Sequence, residues 1–116
     1  MINLSVSESY AFDYLSILEV KCQKSNNKQN IDNYINCLNN IKEQLDNDLF
    51  HDIEQSDEYH SLFDINSKIF NLIDLLKENP SLGKEINDAN YQRFLYKTAL
   101  QNKFFSDKLS EIKIGY

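Results

Sequence analysis

Only three of the 116 residues, Pro80, Gly83 and Gly115, have the backbone character that sharp turns demand. A β-sandwich or barrel needs turn residues about every 8–12 positions, so most all-β architectures are excluded. The same scarcity excludes a glycine-rich phosphate loop, a collagen repeat and a flexible linker. Pro80 and Gly83 form the one strongly punctuated segment inside the chain. A chain of this length is one domain's worth and buries about two thirds of its unfolded surface. Residues 1–116 are therefore expected to form a single helical domain.

The apolar periodicity is helical throughout. Ser5 and Glu8 have the spacing of a capping box, and Tyr10, Ala11, Tyr14, Leu15, Ile17, Leu18 and Val20 continue a helix to about Lys24. The apolar-free stretch 24–29 reads as a loop. Asn30 is placed to cap a second helix whose stripe is Ile31, Tyr34, Ile35, Leu38, Ile41 and Leu45. Residues 46–58 either extend that helix or form a short turn of their own. Ser56 or Asp57 then caps a third helix carrying Tyr59, Leu62, Ile65, Ile69, Leu72, Ile73 and Leu76, which must end near Asn79 because of Pro80. A long last helix is expected from Lys84 or Asp88 to Ile112, with Tyr91, Phe94, Leu95, Thr98, Phe105, Leu109 and Ile112 on one side. Leu100 and Phe104 widen that face. The expectation is an all-α fold: an antiparallel helical bundle of about four helices with a long C-terminal helix. Leu38, Ile69, Leu72 and Leu109 lie mid-stripe and are expected in the core.

The chain is acidic, with net charge -6 and pI near 4.8. Eight acids and no Lys or Arg fall between Glu43 and Asp64, whereas residues 84–116 carry six basic and four acidic groups. Phosphate neutralisation requires clustered cations. Arg93, Lys97, Lys103, Lys108 and Lys113 are spread along the last helix, so no nucleic-acid partner is expected. No stretch approaches the ~20 apolar residues of a membrane span, and Met1–Ser9 lacks the charge and apolar run of a secretory leader. The protein is expected to be cytoplasmic, with no membrane partner. Lys outnumbers Arg 11 to 1, the bias of an AT-rich genome such as a phage's.

Few constellations carry chemistry. Asp46, Asp48 and Asp52 fail the calcium-loop pattern, because His51 and Asp57 stand where it requires Gly and Glu. His51 and His60 are nine residues apart, not the four of a helical zinc motif. Cys22 and Cys37 lack the spacing of a redox or zinc pair and read as buried, reduced residues. No metal or cofactor is expected. No serine sits on a glycine-flanked turn, and a single arginine argues against a clamp on a dianion. Glu8 and Glu19 are three helical turns apart on one side of the first helix, with Asp13 rotated away from both.

The segments Leu4-Ser5-Val6-Ser7-Glu8 and Tyr14-Leu15-Ser16-Ile17-Leu18-Glu19-Val20-Lys21 resemble the start of a family of uncharacterised small helical proteins of bacteria and viruses, often encoded among surface-glycan genes. Asn66 within the third stripe, and Asn102, Lys103 and Lys108 in the last helix, are similar too. Ser7 replaces that family's glycine, and its aspartate is displaced to Asp13. The resemblance implies a helical fold with no assigned activity. It singles out Glu8, Asp13, Ser16, Glu19, Lys21, Asn66, Asn102 and Lys108 as candidate polar positions.

The residues read as a non-enzymatic module for self-association or partner binding, as a homo-oligomer or with another protein. The 14 Phe and Tyr residues support this, with Tyr91, Phe94, Phe104 and Phe105 as candidate interface. The alternatives are a small-molecule site, glycan-related in the sense the resemblance implies, built from the polar candidates inside the bundle, and a phage-type inhibitor presenting its acidic stretch to a basic protein.

Overall fold

The computed structural model describes Ile2 and residues 5–105. It is all-helical, with five α-helices and no strand among the described residues: α1 Glu8–Lys24, α2 Lys28–Gln44, α3 Asn47–Glu54, α4 Asp57–Leu76 and α5 Gly83–Phe104. A single 3-10 turn, Pro80–Leu82, joins α4 to α5.

Side-chain caps set most boundaries. Ser7, not Ser5, caps α1, its hydroxyl accepting from the Tyr10 N–H. Glu8 thereby becomes the first helical residue, where the macrodipole favours an acid. Asn27, not Asn30, caps α2 by accepting from the Asn30 N–H at 2.9 Å. Asn30 lies inside α2 and turns back on α1. Its carboxamide donates to the Ser25 carbonyl at 2.6 Å and to the Lys21 carbonyl at 3.4 Å, tying the start of α2 to the end of α1. Residues 47–54 form a separate helix because Asp46 caps it and because Ser56 closes it. The Ser56 hydroxyl donates to the Ile53 carbonyl at 2.6 Å and accepts from the Tyr59 N–H at 3.1 Å. One side chain thus ends α3 and begins α4.

The last helix is shorter than its apolar spacing suggests. It stops at Phe104, and Phe105 leaves the helical region at φ -138. With 22 residues it is still, as expected, a long C-terminal helix and the longest among the described residues. Lys108, Leu109 and Ile112 lie outside the described residues.

The main core contains Phe12, Leu15, Ile41, Phe50, Ile53, Tyr59, Leu100 and Phe105. Phe12 is its hub, 5.9 Å from the Phe50 ring and 6.2 Å, edge-on, from Tyr59. A second cluster, Ile65, Ile69, Leu72 and Ala89, holds the far end of α4 against α5. Ile69 and Leu72 are buried as the spacing predicts. Leu38 is only half-buried, since the main pairing of α2 is with α1 and Ile41 is its only buried residue. Ile31 and Ile35 remain exposed. No helix among the described residues is long and apolar enough to cross a membrane.

Candidate functional site

The most concentrated polar chemistry lies where α1, α4 and α5 meet. Asp13 is buried, and its carboxylate is gripped by the Arg93 guanidinium. Nε donates to Oδ1 at 3.0 Å and to Oδ2 at 3.2 Å, and Nη2 donates to Oδ2 at 2.5 Å. The Lys97 ammonium lies 3.9 Å from the same oxygen. From α4, the Asn66 carboxamide donates to Asp13 Oδ1 at 2.9 Å and to Ser16 Oγ at 2.8 Å. Ser16 Oγ in turn donates to the Asp13 carbonyl at 2.7 Å. The hydrogen bonds that Arg93 donates to Asp13 push the guanidinium above its ordinary range, against the opposing effect of burial.

A second junction ties the far end of α5 to the start of α1. Gln101, almost wholly buried, accepts from the Ser9 N–H at 2.9 Å and donates to Glu8 Oε1 at 3.0 Å. It satisfies a first-turn N–H that has no partner within its own helix. At a third junction the Tyr59 hydroxyl donates to Glu19 Oε1 at 3.1 Å. Among the described residues, no buried side-chain nitrogen or oxygen lacks a partner.

The sequence candidates therefore do not converge on one site. Asp13, Ser16 and Asn66 meet, Glu8 pairs with Gln101, and Glu19 pairs with Tyr59. Lys21 and Asn102 are exposed and outside these junctions, and Lys108 is outside the described residues. Glu8 lines a cleft of about 330 Å³ beside Ser5 and Ser7. Arg93 and Gln101 were missed as members. A lone arginine among eleven lysines was a signal for Arg93, since only a planar fork binds a carboxylate bidentately. Gln101 carries no such signal.

Other positions fall differently from the sequence reading. Phe105 is buried and Phe104 half-buried against the core. Tyr91 and Phe94 are exposed at 63% and 58%, with Leu95 at 39%. Cys22 and Cys37 are half-buried free thiols rather than core residues. Burial pushes the Cys37 thiol up. His51 and His60 are exposed. Glu58, in the acidic stretch, accepts from Lys103 at 2.9 Å, a bond that lowers its carboxyl below the ordinary range. One acid of that stretch is thus paired with a cation of α5 within the chain.

The Tyr59 junction has a pH consequence. Desolvation first, then the charge and hydrogen bond of Glu19, raise the Tyr59 ionisation well above its ordinary value. The unfolded chain ionises this tyrosine near pH 10. Its contribution to stability is complete below that pH and falls as the pH rises above it towards the folded value. Thermal melts are expected to show a steeper alkaline loss of stability in the wild type than in Tyr59→Phe. Equal slopes would show that the hydroxyl is not held in its neutral form.

Comparison with family models, with curated proteins and with solved structures finds no match to the chain.

Proposed function

We propose that this chain is a non-enzymatic helical interaction module that self-associates through the outward face of α5. Its short connections are those of an antiparallel bundle, and the family resemblance of the α1 motif belongs to the same reading. The observation that carries it is the exposed strip of Tyr91, Phe94 and Leu95. Spaced i, i+3 and i+4, these residues share one side of the helix. Contiguous exposed aromatic surface of this kind marks an interaction site, and Tyr and Phe are enriched at interface cores. A catalytic reading finds less support, because the candidate carboxylates are hydrogen-bonded between helices and Asp13 already holds its cations. A homodimer uses the same strip on both copies, the isologous arrangement of most small oligomers.

Sedimentation velocity at tens of micromolar is the test. The wild type is expected to sediment as a dimer or larger species, and Phe94→Asp as a monomer of unchanged helix content. A wild-type monomer at both low and moderate salt would overturn the proposal.

A further inference from the structure

A different surface, between α1 and α2, combines features that suit one kind of ligand. A groove of about 470 Å³ runs there, with Tyr10 and Tyr14 on one wall and Asn33, Asn36, Asn40 and Gln44 on the other. No charged side chain lines it, although 26% of the sequence is charged and α2 itself carries Lys28, Asp32, Lys42 and Glu43. Its floor is apolar, formed by Ala11 and the buried Ile41. The floor continues into the neighbouring cleft, which shares Ala11 and Ile41 with it. Tyr10 is braced from the α5 side, where the Lys97 ammonium lies 5.5 Å from its ring centroid.

The amide-and-tyrosine lining narrows the neutral ligands, and its spacing is commensurate with an extended backbone. Asn36, Asn40 and Gln44 recur every four residues, as do Tyr10 and Tyr14, so each wall repeats about every 6 Å. An extended polypeptide presents an N–H and C=O pair to the same side every two residues, about 6.7 Å. Over Asn36 to Gln44 the two repeats differ by only about 1.4 Å, within the reach of flexible side chains. A carboxamide offers both donor and acceptor, the complement of one backbone N–H and one C=O. Side chains alternating from such a strand would face the apolar floor and the tyrosine rings.

We propose that the α1–α2 groove binds an extended, uncharged peptide segment, reading its backbone with Asn36, Asn40 and Gln44 and its alternate apolar side chains with Tyr10 and Tyr14. This surface is separate from the α5 strip and does not depend on self-association.

The test uses the full chain, 15N-labelled, titrated with the blocked peptide acetyl-Thr-Val-Thr-Val-Thr-amide. The side-chain amide resonances of Asn36, Asn40 and Gln44 are expected to shift, with a Kd on the order of 1 mM. Asn40→Leu, at an exposed helical position, is expected to weaken binding about fivefold, while Asn102→Leu on α5 leaves it unchanged. The same peptide methylated at alternate backbone nitrogens is expected not to bind. Binding of the methylated peptide with equal strength would overturn the proposal, because apolar adhesion alone would then explain the groove. Absence of any shift in the three amides would overturn it. So would stronger shifts with maltohexaose, which would make the ligand a polyol. Shifts in these amides that follow protein concentration without peptide would also overturn it, by assigning the groove to a second copy of the chain.

Discussion

Asp13→Ala is expected to lower the unfolding free energy by about 3–5 kcal/mol, among the largest losses available to a single substitution in this chain. The Asp13 side chain is 3% exposed and that of Arg93 29%. Truncation removes the acceptor of the guanidinium fork and one of the two acceptors of the Asn66 carboxamide. A largely desolvated cation without its counter-charge is the costly product. Replacing both partners, as Asp13→Leu with Arg93→Met, removes the stranded charge and is expected to cost less than Asp13→Ala alone. Urea denaturation of the two variants distinguishes the cases. A loss under about 1 kcal/mol for Asp13→Ala would show that Arg93 simply swings into solvent. The consequence also reaches the proposed interface. Arg93 lies between Tyr91 and Phe94 in sequence, so its pairing with α1 sets how α5 is rotated and which residues face outward.

Phe12→Ala is expected to cost about 3–5 kcal/mol as well, by a different mechanism. The Phe12 ring is 1% exposed and packs against both Phe50 and Tyr59. Deleting it removes the aromatic contacts of α1 with Phe50 of α3 and Tyr59 of α4 and leaves a cavity between the three helices. Phe12→Leu refills part of that volume and is expected to cost less. If both variants were equally destabilised, packing shape rather than volume would set the stability of this core. Residues 12 and 13 are neighbours about 100° apart around α1. One anchors the apolar core and the next the polar network, so the two losses have separate origins.

The α4 stripe was largely legible because that helix is covered along one face by α1 and α5 together: Tyr59, Leu62, Ile65, Ile69 and Leu72 are buried, whereas Ile73 is exposed and Leu76 half-buried at the end of the same stripe. The α2 stripe looks as regular in sequence, yet Ile31 and Ile35 are exposed and Leu38 half-buried. Periodicity reports which side of a helix is apolar, not how much of that side a neighbour covers. The break between α2 and α3 was ambiguous because Leu49, Phe50 and Ile53 keep the helical period across it. Asp46 caps a new helix there, and Ser56 does the same between α3 and α4. At the other end of the chain, the spacing of Phe105, Leu109 and Ile112 suggested one continuous helix, but Phe105 turns away after Phe104 and its ring enters the core.

The candidate site was legible only as separate letters. The resemblance singled out Asp13, Ser16 and Asn66 one by one, but their contact crosses about fifty positions of sequence, and the Arg93 fork crosses eighty. The sequence by itself determined the helical class, a start of α4 at Ser56 or Asp57 and the stop before Pro80. These follow from local backbone energetics and from apolar spacing, which act within a few turns. Tertiary structure alone decided that Arg93 pairs with Asp13, that Gln101 caps α1, that Phe104 and Phe105 turn inward and that the tyrosines of α1 face the asparagines of α2. Those outcomes depend on how one helix is rotated and docked against another, and the periodicity of a single helix carries no record of that angle.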